Sequence, residues 1–144
     1  WLKGTWRLVS ADDAKTGEFL TRTDSMWVSD TPGDSLTFEF DGAEAALYAL
    51  YGPSGARLDV RVDGKKQPSR DLCDRYCTYW RLMRVPIFRG ERGRHRVEIR
   101  IADEQPDREC VRTYRKLTDE RVKEIGFDGH RAAVGRLFLD GRVL

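Results

Sequence analysis

The chain has 144 residues, 40% hydrophobic and 35% charged, and its 26 Lys and Arg against 24 Asp and Glu leave a formal net charge of +2. That length is one domain's worth and buries a core without metal or disulfide staples. The charges are mixed along the chain, which argues against nucleic acid as the main partner because phosphate binding needs a concentrated basic face, and no apolar run is long enough for a membrane span.

Taken in chain order, the first clear element follows the turn residues Pro32-Gly33-Asp34. Leu36, Phe38 and Phe40 alternate with Thr37 and Glu39, the period of a strand with one face buried. Asp41-Gly42 reads as a turn. The run Ala45 to Tyr51 is apolar on both faces and predicts a central strand. After Gly52-Pro53-Ser54-Gly55, Leu58, Val60 and Val62 alternate with Asp59 and Arg61, and Asp63-Gly64 is a hairpin signal. Residues 66–80 are polar and aromatic without clean period and predict a long loop. Gly90 through Gly93 read as a turn before the alternating Val97, Ile99 and Ile101. Residues 107–124, just after Pro106, place Val111, Tyr114, Leu117 and Val122 at roughly helical spacing and predict one surface helix. Ala133 to Leu139 returns to strand. The pattern is that of an all-β, antiparallel β-sandwich or jelly roll of about eight strands with one short helix. The chain opens on Trp1 rather than Met, so residues 1–144 are expected to be a single domain cut from a larger protein.

Few motifs carry chemistry. Gly33-Asp34-Ser35-Leu36 spells the nucleophile motif of GDSL esterases, in which the serine needs a histidine base. His95 sits within a strand pattern, and His130, in Asp128-Gly129-His130, is one residue short of the DxxH spacing; the sequence contains no Asn for an oxyanion hole. The four letters are read as turn chemistry, and no catalytic residue is assigned. Cys73 and Cys77 with Cys110 make no credible zinc set, and the three are expected as reduced thiols. No metal site and no cofactor is expected. The acidic and amide cluster Asp103 to Arg108 matches no calcium loop, and Asp107 is expected to cap the helix.

The segment Asp71 to Arg81 is the most unusual stretch, with three aromatics, two acids and two arginines in eleven residues. Sugar recognition uses flat aromatic faces for C–H stacking and charged groups for hydroxyls. The candidate carbohydrate-binding residues are therefore Asp74, Tyr76, Tyr79, Trp80 and Arg81, with Asp107 as a possible neighbour. Strict alternation puts Tyr76, Thr78 and Trp80 on one side and Cys77, Tyr79 and Arg81 on the other, so the aromatics converge only if the loop is irregular. The alternative reading is a plug that ties down one end of the sandwich.

At these residues the chain resembles the galactose-binding-like β-sandwich domain that follows the catalytic domain in bacterial SGNH/GDSL-type hydrolases. The likeness runs in order over about residues 36–140: an L-x-F-x-F-x-G strand from Leu36 to Gly42, Y-x-L-x-G-P from Tyr48 to Pro53, and V-x-V-D-G-K from Val60 to Lys65. It continues with D-x-Y-C-T-Y-x-R-L from Asp74 to Leu82, H-x-V-x-I from His95 to Ile99, Q-P-D from Gln105 to Asp107, and F-D-G from Phe127 to Gly129. Trp80 stands where the resemblance leads one to expect His. The resemblance implies a jelly roll beside an esterase whose own serine and histidine lie upstream of Trp1.

Three functions follow, with different expectations. A carbohydrate-binding module leaves Tyr76, Tyr79 or Trp80 around a wet concavity. A structural domain, packing on the upstream catalytic domain of the same chain and shaping its substrate cleft, buries them or presents a flat apolar patch. An esterase brings a histidine within hydrogen-bond reach of Ser35. The expected partners are that catalytic domain and a glycan, with no nucleic acid and no membrane. Glycan binding would favour a secreted or periplasmic location.

Overall fold

The computed structural model describes residues 1–9 and 19–144. Among these, the strands are β1 (Leu2–Lys3), β2 (Arg7–Leu8), β3 (Trp27–Ser29), β4 (Ser35–Tyr51), β5 (Arg57–Val62), β6 (Lys65–Asp71), β7 (Arg81–Ile101) and β8 (Ala132–Val143). The helices are α1 (Leu20–Thr23), α2 (Glu109–Arg115) and α3 (Asp119–Ile125). The strands pair antiparallel in the order β2-β3-β8-β4-β7-β5-β6, with β1 against the start of β4.

The two longest strands make one sheet into a sandwich. β4 turns Leu36, Phe38 and Phe40 inward at even positions, then Ala45, Leu47 and Ala49 at odd ones, yet all six belong to one core with Val85, Ile87, Val97 and Ile99. The phase changes where the β4–β7 register slips between Gly42 and Glu44. An extra residue there bends the strand and raises its twist, so the two halves of the sheet face each other across a shared core. A core side chain the size of Phe40 contributes on the order of 2–3 kcal/mol by leaving water.

That bend corrects the sequence reading at two places. Asp41-Gly42 and Gly90 through Gly93 are bulged interiors of continuous strands, not turns. The reason is a neighbour on each side. Gly42 pairs with Gly93 on β7 and Gly141 on β8. A Cβ on Gly42 would lie 2.1 Å from the Asp140 carbonyl oxygen, and one on Gly141 (φ 149°) 1.9 Å from that of Asp41. Only glycines allow the backbones to approach so closely at the bend.

Other expectations meet different outcomes. The hairpin forms at Asp63-Gly64, with φ of 51° and 77°, the positive values a primed two-residue turn requires. Ala45 to Tyr51 is central, between β7 and β8, and its other face meets a second core of Met26, Val28, Leu50 and Ala133. The expected loop at 66–80 begins instead as β6, an edge strand pairing only with β5. Its residues Lys65 to Asp71 are polar on both faces because neither face is covered, and Pro68 and two lysines suit an edge. The expected single helix over 107–124 is two. Lys116 takes a left-handed φ of 53°, and Thr118 restarts the chain as N-cap, its Oγ1 accepting the Arg121 N–H at 3.2 Å.

Candidate functional site

The Gly33 to Leu36 motif is structural in its Asp. Asp34 is buried, and its Oδ2 accepts from the Ser29 hydroxyl at 2.6 Å, the Thr5 N–H at 2.7 Å and the Thr5 hydroxyl at 2.9 Å. Burial pushes this carboxyl up, but those donors outweigh it and hold it below the usual carboxylate value. Ser35 opens β4 opposite Arg100. His95 is five residues along, opposite Phe40, with its nitrogens on Asp63 Oδ2 at 2.8 Å and the Glu91 carbonyl at 2.9 Å.

The loop between β6 and β7 is irregular, as convergence of its aromatics requires. The Cys77 N–H donates to the Asp74 carbonyl at 3.0 Å and the Thr78 N–H to the Tyr76 carbonyl at 2.8 Å, two tight turns in succession. They bring Tyr76 and Tyr79 to one guanidinium. Arg81 lies 5.6 Å from the Tyr76 ring centre and 5.7 Å from that of Tyr79, within cation–π range. Arg81 also closes an ion pair on Asp74 Oδ1, which further accepts the Tyr76 N–H at 3.0 Å. Burial acts to raise the Asp74 carboxyl, but the bonds from Arg81, Tyr76 and Cys77 dominate and lower it. The same bond to Asp74 raises Arg81.

Under this loop lies a third core of Cys73, Cys77 and Val111, with Tyr51, Leu117 and Phe127 against it. All three cysteines are free thiols, Cys73 and Cys77 buried and Cys110 exposed. Cys77 is the more acidic of the inner pair because the Cys73 thiol bonds to it, with help from the Asp74 N–H at 3.2 Å and Arg81 at 3.6 Å.

Trp80 and Asp107 sit elsewhere. Trp80 packs on the second core with Phe19, Leu20 and Leu82. Its ring fills the space beside Gly52, where a Cβ would come within 2.1 Å of it. Asp107 stands at the start of α2, accepting the Glu109 N–H at 2.9 Å, while the Tyr76 contacts are at that helix's other end. Around it, Arg108 donates to the carbonyls of Pro53 at 2.7 Å, Gly55 at 2.8 Å and Gly129 at 2.9 Å. Gln105 reaches Asp128 at 2.6 Å, so this cluster ties loops together. Among the described residues, no group of three or more His, Cys, Asp or Glu is placed to hold a metal ion.

Sequence reasoning missed three members of the cluster. Tyr114 of α2 meets Tyr76 edge-to-face at 5.2 Å between ring centres. Arg75 lies 5.0 Å from both rings and Arg115 5.9 Å from both. Helical spacing placed Tyr114 with the core, but Val111 alone in α2 is buried, and Tyr114 is 50% exposed. The surviving signal is composition: Arg75-Tyr76 and Tyr114-Arg115 repeat one pairing on two segments.

No family model matches the sequence, and no curated protein does. Solved structures do share the fold. A family two carbohydrate esterase from Clostridium thermocellum in complex with cellohexaose aligns at TM-score 0.54 and 15% identity over 82% of this chain and 28% of its own. A family two carbohydrate esterase from Cellvibrio japonicus aligns at 0.54 and 19% over 96% and 34%. A carbohydrate-binding module, CBM36, in complex with calcium and xylotriose aligns at 0.51 and 9% over 96% and 91%. The chain thus spans about a third of the esterases it resembles and nearly all of the module's length. At these identities the likeness is one of fold: this chain is a β-sandwich whose fold is shared with part of these esterases and with the CBM36 module.

Proposed function

We propose that this chain is a non-catalytic accessory domain of an SGNH-type esterase and that it binds carbohydrate through the loop from Asp71 to Arg81. The observation that carries the reading is Arg81, ion-paired to Asp74 and within cation–π range of Tyr76 and Tyr79. Tyr79 is 52% exposed. Flat ring faces with fixed, charged hydrogen-bonding groups between them suit a sugar's apolar C–H face and its hydroxyls. The shared fold of esterases and a module whose complexes hold cellohexaose or xylotriose supports it, by analogy of architecture. The esterase serine and histidine would then belong to the remaining two thirds of such a protein.

The test is calorimetric binding of xylo-, cello- and manno-oligosaccharides to the wild type, Tyr76→Ala and Tyr79→Ala, each checked for folding. Binding that weakens in both variants supports the site. Wild-type binding to none of these or to acidic sugars overturns it.

A second reading has its own observation. An apolar groove of about 380 Å³ opens between the two layers, lined by Leu36, Phe38, Leu47 and Leu137 with Trp27 at 39% exposure. As a scaffold, the domain would present this face to the catalytic domain, and polar substitution of Trp27 would then weaken that association and leave glycan binding intact.

A further inference from the structure

We infer that the surface of Arg75, Tyr76, Tyr114 and Arg115 takes the carboxylate of an acidic sugar, a hexuronate within a polysaccharide chain; this rests on the carbohydrate-binding reading above and names its glycan class. Among the described residues the two guanidiniums lack a carboxylate partner, as do Arg61, Arg70 and Arg108. Those three bond to backbone carbonyls away from any ring cluster, whereas most other arginines are ion-paired. Arg57 meets Asp71 and Glu104, Arg92 meets Asp140, Arg112 meets Asp119 and Arg136 meets Asp24. Arg75 and Arg115, by contrast, form no ion pair among the described residues. Arg75 Nη2 donates to the Tyr76 hydroxyl at 2.9 Å, and Arg115 Nη2 to the Tyr76 carbonyl at 3.3 Å. The carboxylate of the patch, Asp74, is taken by Arg81.

Three guanidiniums, Arg75, Arg81 and Arg115, thus stand against one carboxylate, an excess of two positive charges on a chain whose formal net charge is +2. Each guanidinium carries five donors, of which Arg75 and Arg115 each spend one within the cluster. The free edges form planar forks that match a carboxylate in two parallel bonds. Contact with Tyr76 and Tyr114, at 5.0 Å for Arg75 and 5.9 Å for Arg115, restrains both side chains, which cuts the ordering cost of binding. The half-exposed Tyr114 ring lies against both guanidiniums and supplies the apolar floor for a pyranose ring. A neutral glycan offers the unmatched forks only hydroxyl oxygens, with no opposite charge and no bidentate match. A nucleic acid needs a wider basic face than two unmatched cations.

The experiment compares two acidic probes, tetragalacturonate and a glucuronate-substituted xylo-oligosaccharide, with the same compounds after carboxyl reduction. The intact chain is expected to bind at least one acidic form about ten-fold or more tighter than its reduced counterpart, about 1.4 kcal/mol or more, with the preference shrinking as salt rises. The double variant Arg75→Gln/Arg115→Gln should lose the preference while still binding the reduced form through the tyrosines. Should that variant not fold, Arg75→Lys/Arg115→Lys keeps the charge and loses the fork, and a several-fold drop in preference is expected. Equal binding of acidic and reduced forms by the wild type overturns this inference and leaves the carbohydrate-binding reading standing. Binding of neither form, nor of any neutral oligosaccharide, overturns both. An oligothymidylate that binds as tightly as the acidic sugar shows general polyanion attraction and overturns the inference as well.

Discussion

Arg81 closes on Asp74 across the loop that joins β6 to β7, and the same guanidinium lies within 5.7 Å of the Tyr76 and Tyr79 ring centres. One side chain therefore sets both the loop's conformation and the spacing of its rings. Arg81→Ala leaves Asp74 Oδ1 with only the Tyr76 N–H and the Cys77 thiol as donors. The expected loss is about 1–2 kcal/mol by urea denaturation, the range for a charge-assisted bond that is partly solvated. The Asp74 carboxyl should then titrate higher than in the wild type, read by carboxyl NMR.

Asp34 and Ser35 are neighbours in the motif with opposite expectations. Asp34→Ala removes the shared acceptor of the Ser29 hydroxyl and both Thr5 donors, of which the Thr5 hydroxyl keeps Thr31 Oγ1 at 2.9 Å, and should cost about 2–3 kcal/mol. Ser35→Ala removes a hydroxyl at a half-buried strand end and should cost under about 0.5 kcal/mol. Because the folded Asp34 value is depressed below 3.8, its contribution is present above the unfolded value and lost as pH falls through the folded one. Asp34→Asn should therefore flatten the acid limb of stability against pH. An unchanged limb would show that Asp34 does not carry it.

His95 works in the other direction. Its bond to Asp63, opposed by burial and aided by the Glu91 carbonyl, raises it above 6.5. A raised histidine contributes stability fully present below the unfolded value and lost as pH rises through the folded one. The melting temperature should fall from slightly acid to slightly alkaline pH, and Asp63→Asn should remove most of that slope. Asp63 is also the first residue of the β5–β6 turn, so this pair ties the hairpin to β7.

The strand pattern was legible where one face was buried. Leu36 to Phe40 and Val97 to Ile101 alternate because a core lies on one side only. The bend at Gly42 was not legible, since Asp-Gly serves a turn and a bulge equally well, and the deciding partner, Gly141, is 99 residues away. β6 was hidden for the opposite reason: an edge strand with no covered face carries no alternation. At the site, Asp74, Tyr76, Tyr79 and Arg81 were legible as composition in one loop. Tyr114 and Arg115 were not, because a loop and a helix 38 residues apart are brought together by tertiary packing over the shared core of Cys77 and Val111.

Tyr76 and Trp80, four residues apart, should separate binding from stability. Trp80 packs with Leu20 and Leu82 on the second core and covers Gly52, so Trp80→Ala opens a cavity and should cost about 2–4 kcal/mol. Tyr76 touches Arg75, Arg81, Tyr114 and Arg115 at the surface. Losing it removes one edge-to-face pair and should cost about 1 kcal/mol of stability. Glycan affinity should show the reverse order: Tyr76→Ala weakens it, and Trp80→Ala, measured at a temperature where the variant is fully folded, leaves it near the wild-type value. Calorimetric titration beside a denaturant midpoint for each protein reads both quantities. A folded Trp80→Ala that loses binding while Tyr76→Ala keeps it would move the sugar site to the Phe19, Arg22 and Met83 side of the loop, where Trp80 lines a cleft with these residues.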